Sequence, residues 1–162
     1  MSSGLVLIDL MPRIMALPLA PHSGEDVFDR CRTLAEAFRA QGRPVALVRV
    51  ERPNVPEQPA GSELAPGLQA PGDIVVVKRT IGAFHGTDLH ERLRERGITT
   101  LVFGGLVTTM GVESTARVAS DHGYELEFVA DAMSDRTAEE HDFAVRRTFP
   151  RFGAVRNTAD YL

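Results

Sequence analysis

The sequence predicts an α/β protein, with helices on both faces of a mainly parallel sheet of six strands in a three-layer α/β/α arrangement. Three observations carry this reading. Short continuous apolar runs recur along the chain, as expected of strands buried on both faces. Segments with apolar residues at helical spacing separate them. The chain has 162 residues, 43% hydrophobic and 25% charged, which suits one core and is too short for two of ordinary size. The expectation is a single domain over residues 1–162.

Each element follows in order. Gly4-Leu5-Val6-Leu7-Ile8-Asp9 reads as a buried strand closed by an acid. Val27, Phe28, Cys31, Leu34, Ala35 and Phe38 then recur at helical spacing. Ser23 and Asp26 form a capping pair before them, and Gly42 is the stop. Val45 to Val50 is the second strand. Residues 51–72 break the pattern with Pro53, Pro56, Pro59, Pro66 and Pro71. Neither helix nor interior strand tolerates that proline density, so this is a long loop or covering arm. Ile74 to Val77 is the third strand, ending at Lys78. Thr87 caps a helix running towards Arg96, with Gly97 as its stop. Ile98 to Phe103 is a strand entering Gly104-Gly105. Residues 111–122 form a helix stopped by Gly123, and Tyr124 to Val129 a strand ending near Asp131. Thr137 and Glu140 make a capping box for a helix that ends before Pro150. Ala154 to Arg156 is a last short strand.

Composition excludes several classes. The net charge of −4 argues against a binder of nucleic-acid phosphates, which would show a basic surplus. No apolar run approaches the roughly 18–20 residues of a membrane span. The N-terminus lacks the basic and apolar regions of a signal peptide, so cytoplasm is the expected location. The one cysteine, Cys31, leaves no disulfide framework or multi-cysteine metal site. It sits on an apolar helical stripe and reads as a buried, inert thiol. The five histidines (His22, His85, His90, His122, His141) are dispersed without ligand spacing, and no phosphate-cradling glycine motif follows a strand. No metal and no other cofactor is expected.

In a parallel sheet covered on both faces, ligands bind beyond the carboxyl ends of the strands. Asp9 closes the first strand, Lys78 the third, and the fourth feeds Gly105-Leu106-Val107-Thr108-Thr109-Met110 into a helix starting near Gly111. Each feature has a plain structural reading alone: a turn-capping Asp, a solvated Lys, a close-packed Gly. Together they put an acid, a cation and a helix N-terminus on one edge. A carboxylate beside an ammonium suits a general base or a substrate-orienting group.

These residues resemble the isochorismatase-like hydrolase family, also called cysteine hydrolases. The resemblance spans nearly the whole chain. It rests on Leu5 to Leu10, on Val75-Val76-Val77-Lys78-Arg79, on Gly82 to Leu89, on Gly105 to Arg117, and on Gly123-Tyr124 followed by Asp131-Ala132. It implies a Rossmann-like sheet, a small-molecule substrate and a homodimer or homotetramer, with the C-terminal Ala159 to Leu162 available to pack on a neighbour. The family's triad is Asp, Lys and Cys. The first two carry over to Asp9 and Lys78, but the Cys position is held by Gly111. Thiolate chemistry of the nicotinamidase kind needs a thiol there. The histidines with which nicotinamidases bind zinc have no counterpart in residues 51–65.

Isochorismatases of this family also carry glycine at that position. They cleave a vinyl ether, the Asp protonating the enol-ether carbon before water attacks. By this resemblance Asp9 is the acid. Lys78 would lower its pKa where an acid wants it raised, and burial by Phe84 and the proline-rich arm would offset that. The resemblance also implies a cis peptide at Leu106–Val107, with the N–H groups of Val107 and Gly111 facing substrate. Expected substrate-binding residues are Val107, Thr108, Phe84, Arg79 and His85. Arg13 and Arg49 are further cationic candidates, and Phe103, Tyr124 and Phe152 further aromatic ones. Two departures concern the substrate: Leu10-Met11-Pro12 follows the Asp, and Val107-Thr108 stands where known isochorismatases have Tyr and His. The expected function is hydrolysis of a small carboxylate-bearing substrate without cysteine. The alternative is a silent binding protein that kept the pocket and lost the nucleophile.

Overall fold

The computed structural model describes residues 2–162. Six strands form one sheet: β1 (Ser2–Ile8), β2 (Val45–Val50), β3 (Ile74–Lys78), β4 (Ile98–Leu106), β5 (Glu125–Ser134) and β6 (Gly153–Arg156). Their order is β3-β2-β1-β4-β5-β6, and all neighbours pair in parallel. The helices are α1 (Pro12–Met15), α2 (Gly24–Ala40), α3 (Leu89–Glu95), α4 (Glu113–Asp121) and α5 (Ala138–Phe143). Among the described residues, no helix is long and apolar enough to cross a membrane.

Alternation along each strand divides the core. Val6, Ile8, Val48, Val76, Phe103 and Phe128 point to one face, against α3, α4 and Phe149. Leu5, Leu7, Leu47, Val102 and Val129 point to the other, against Val27, Cys31, Leu34 and Phe38 of α2. Period-2 side chains on strands buried from both sides produce the continuous apolar runs of the sequence. Cys31 is fully buried, its Sγ 3.4 Å from the carbonyl of Ala132.

The capping signals at two helices hold. Ser23 accepts from the Asp26 N–H at 3.1 Å, and Thr137 from that of Glu140 at 3.1 Å. Elsewhere the chain departs from the expected bounds. Asp88 is the residue before α3 and makes no side-chain cap; the Thr87 hydroxyl accepts from the Leu89 N–H at 3.4 Å and donates to the carbonyl of Ala83 at 2.5 Å. A π-helical turn, Thr108–Val112, precedes α4. β4 runs on through the two glycines to Leu106, and β5 to Ser134. The short α1 opens on Pro12 and has no periodic stretch to announce it.

The proline-rich segment is a covering arm. Its own Ala65 and Leu68 are buried against the body of the protein, and the Ala65 N–H bonds the Leu10 carbonyl at 2.9 Å. Arg39 of α2 clamps its far end, with Nη2 2.6 Å from Asp73 Oδ2 and 2.7 Å from the Leu68 carbonyl.

Candidate active site

β1 and β4 lie side by side, but the chain leaves β1 towards β2 and leaves β4 towards β5. Connections therefore diverge at the carboxyl ends of this pair and open a crevice there. Asp9 follows β1 directly, and Leu106 ends β4. A cleft of about 640 Å³ occupies the crevice, lined by Asp9, Lys78, Leu106, Val107 and Gly111 among others.

Asp9 sits in the left-handed region (φ 51°), which Asp tolerates better than most residues. Its N–H still bonds the Val48 carbonyl at 2.8 Å, and its carbonyl accepts from Met11 at 2.9 Å. The residue is thus locked at the point where the strand stops. Its Oδ2 is 3.0 Å from Lys78 Nζ. Lys78 is only 2% exposed, and its ammonium also donates to the carbonyls of Ile81 at 2.8 Å and Thr80 at 3.3 Å. Three acceptors match the three protons of an ammonium, so this buried cation is fully satisfied. The other Asp9 oxygen, Oδ1, is buried without a hydrogen-bond partner.

Burial pushes the Asp9 carboxyl up to about 6, against the opposing pull of Lys78 and, more weakly, Arg13. Desolvation therefore wins over the ion pair. Phe84 is not among the residues that line the cleft. The residues enclosing the carboxyl are those of the cleft, with Ile14, Leu17 and Ile81 on its walls.

The loop from Val107 to Gly111 forms the opposite wall. The peptide bond Leu106–Val107 is cis, at the expected position. Asp135, at the end of β5 and 2% exposed, anchors the loop. Its Oδ2 accepts from the Thr109 N–H at 2.8 Å and hydroxyl at 2.7 Å, and its Oδ1 from the Arg136 N–H at 2.7 Å. A Cβ built on Gly111 would lie 2.9 Å from Ile8 Cγ2 and 3.4 Å from Asp9 Oδ2. A side chain here would point at the Asp9–Lys78 pair.

Of the expected substrate-binding residues, Val107 and Arg79 line the cleft. Three do not, which corrects the expectation. Phe84 is buried in the core on the α3–α4 face of the sheet, its ring 5.2 Å from His122 and 6.2 Å from Tyr124. The Ala83 N–H is bonded to Thr115 Oγ1 at 3.1 Å, so the segment after β3 turns down onto α4 and carries Phe84 with it. His85 follows it out to the surface. Thr108 points inward, 2.7 Å from His141 Nδ1, because Val107 and Thr109 take the cleft side of the turn. Phe103, Tyr124 and Phe152 also stand outside the cleft.

The cationic candidates change too. Arg13 bonds Ser62 at 3.0 Å, and Glu51 binds Arg49 and Arg79, each at 2.9 Å. Of the arginines that line the cleft, Arg52 and Arg136 form no salt bridge among the described residues. Sequence reasoning missed both, and Asp135 as well. The signal was available for Arg52, just past the end of β2; Asp135 and Arg136 follow an extension of β5 that the apolar pattern does not show. Among the described residues, no cluster of three or more His, Cys, Asp or Glu side chains has metal-site geometry.

Comparison with known proteins agrees with this architecture. The isochorismatase domain model matches residues 3–160. The isochorismatase family protein YecD of Escherichia coli O157:H7 is 39% identical over 178 aligned residues, covering 99% of this chain and 95% of that protein. Ureidoacrylate amidohydrolase RutB of Methylorubrum extorquens is 40% identical over 92 residues, 57% of this chain and 34% of that one. Among solved structures, an isochorismatase family protein from Burkholderia thailandensis superposes with a TM-score of 0.87 at 40% identity, covering 98% and 93% of the two chains. N-carbamoylsarcosine amidase from Thermoplasma acidophilum gives 0.84 at 26% identity, covering 98% and 97%. With a match from end to end and the Asp9–Lys78 pair at the crevice of a 3-2-1-4-5-6 sheet, this chain belongs to the isochorismatase family of hydrolases.

Proposed function

We propose that this protein hydrolyses a small carboxylate-bearing molecule without a cysteine nucleophile, by vinyl-ether cleavage of the isochorismate type with Asp9 as the acid. One observation carries the reading. The carboxyl of Asp9 is buried in the cleft, its Oδ1 has no partner, and its pKa is raised to about 6. Such a group holds its proton close to neutrality and is free to hand it on.

In this reading Gly111 occupies the place of the family's thiol, so no covalent enzyme intermediate forms. Asp9 delivers its proton to the terminal enol-ether carbon. The electron pair of the double bond takes it up, leaving an oxocarbenium ion. Water attacks the cationic carbon, and its lost proton returns to Asp9. The hemiketal then collapses to pyruvate and an alcohol. Lys78, 3.0 Å from Asp9 Oδ2, keeps the carboxyl oriented after each proton transfer. Arg52 and Arg136 supply counter-charge for the substrate's carboxylate. The substrates named for the two relatives, ureidoacrylate and N-carbamoylsarcosine, are themselves carboxylic acids, which supports that substrate class.

The test compares variants on isochorismate. Cys31→Ala keeps pyruvate release at the wild-type rate, because the only thiol is outside the cleft. Asp9→Asn abolishes it. Release that needs Cys31, or that survives in Asp9→Asn, contradicts the proposal. A protein that binds the substrate, releases nothing, and in Asp9→Asn changes only in affinity is the silent binder instead.

A further inference from the structure

We propose that Thr115 is a positioning residue for the Asp9–Lys78 pair, a strut that ties the cage around the Lys78 ammonium to the turn carrying Gly111. The inference rests on the reading of that pair as the working centre. Thr115 lies in the first turn of α4 and is fully buried. Its hydroxyl donates to the Gly111 carbonyl at 2.7 Å and accepts from the Ala83 N–H at 3.1 Å. A threonine that bonds the carbonyl four residues back is common in helices and by itself says nothing of function. The bond from Ala83 is different, because it comes from the segment after β3, 32 residues away in the chain.

That segment holds the lysine. The Lys78 ammonium donates to the carbonyls of Thr80 at 3.3 Å and Ile81 at 2.8 Å, and lies 3.0 Å from Asp9 Oδ2. Between Lys78 and Leu89 the chain forms neither helix nor strand, so its place is set by what it touches. It leans on α4. A Cβ built on Gly82 would lie 3.6 Å from the Ser114 carbonyl oxygen, and the next residue, Ala83, bonds Thr115. On the other side of the hydroxyl, a Cβ on Gly111 would lie 3.4 Å from Asp9 Oδ2. The hydroxyl gives its proton to one wall and a lone pair to the other. One buried side chain thereby fixes the two walls between which carboxyl and ammonium meet.

Thr115→Val keeps the outline of the side chain and removes both bonds. The buried N–H of Ala83 is then without an acceptor, and it regains one only if the segment moves off α4 towards water. The carbonyls of Thr80 and Ile81 move with it. The ammonium keeps Asp9 as its partner, no longer shared with two carbonyls, and water reaches the carboxyl. Both changes favour the ionised form of Asp9. The charged groups that act on Asp9 are Lys78 at the end of β3 and Arg13 of α1. Glu51, Arg52, Arg79, Asp135, Arg136 and Glu140 line the rest of the cleft, and the substitution alters none of them.

Carbon-13 NMR titration of the aspartate carboxyls tests this, the Asp9 signal being the one missing from Asp9→Asn. In the wild type that signal is expected to titrate at about pH 6. In Thr115→Val it is expected to titrate about one pH unit lower, and Thr115→Ala is expected to do the same. Thr115→Ser keeps the hydroxyl, and Ala119→Gly loosens the same helix without touching it. Both are expected to titrate as the wild type does, although both melt at a lower temperature. With isochorismate, Thr115→Val is expected to lower kcat about tenfold with KM within about twofold. An Asp9 signal that Thr115→Val and Thr115→Ala leave in place overturns the proposal. So does a shift shared by Thr115→Ser or Ala119→Gly. An ordinary carboxyl titration of Asp9 in the wild type overturns the proposal together with the reading beneath it. The expected shift in a protein that releases no pyruvate supports the strut and overturns vinyl-ether cleavage alone.

Discussion

The carboxyl of Asp9 is pulled in two directions, and its environment decides between them. Lys78 at 3.0 Å favours the ionised form, while burial favours the neutral one and prevails, raising the carboxyl to about 6. The sequence showed both residues and their common edge, but not the balance, because desolvation depends on every wall of the cleft. The sign of the pH dependence follows. An acid that must be protonated loses activity as pH rises through its pKa, so kcat/KM is expected to fall about tenfold per pH unit above about pH 6. A rate that rises through the same range would assign Asp9 as a base. Two glycines separate packing from chemistry. Gly105 has φ +112°, and a Cβ there would lie 2.3 Å from the Ile8 carbonyl oxygen. Backbone cannot yield as a side chain does, so Gly105→Ala is expected to destabilise by about 3 kcal/mol or more in urea unfolding. At Gly111 the 2.9 Å contact is with a methyl of Ile8. Gly111→Ala is expected to cost only about 1 kcal/mol while narrowing the space beside Asp9 and slowing turnover about tenfold.

At the scale of elements, the wall opposite Asp9 is held from an unexpected quarter. The sequence places a strand ending near Asp131, whereas β5 continues to Ser134 and delivers Asp135 beneath the Val107–Gly111 turn. The extension is not apolar, since Asp131 and Ser134 interrupt it, so hydrophobic run length stops short of it. Tertiary hydrogen bonds supply what the pattern lacks: Thr158 N–H to Asp131 at 2.8 Å, and the His22 N–H to Ser134 at 3.1 Å. Phe84 and Thr108 show the same limit from the other side. Proximity in sequence to Lys78 and to the loop did not reveal which way each side chain turns. Asp135→Ala leaves the part-buried N–H of Thr109 without its acceptor. The expected loss is about 2–3 kcal/mol in chemical denaturation, with kcat reduced at least tenfold, and an unchanged kcat would detach the loop from catalysis.

For the whole molecule, strand order was the decisive unread fact. Alternating strands and helices, capping pairs and glycine stops were enough to lay out six strands and a covering arm. Which strands lie side by side is set by long-range packing, which local pattern does not encode. Once the order 3-2-1-4-5-6 is fixed, the crevice between β1 and β4 follows, and with it the convergence of Asp9, Lys78 and Gly111 from three distant parts of the chain. The same topology brings Arg52 and Arg136 to the mouth of the cleft from β2 and β5. The central claim is that this assembly cleaves a vinyl ether with a carboxylic acid and no thiol. Pyruvate release from isochorismate, followed for wild type and Asp9→Asn at pH 6, tests it most directly. The account predicts release by the wild type and none above the uncatalysed rate from the variant. No release by the wild type, or equal release by both, would contradict it.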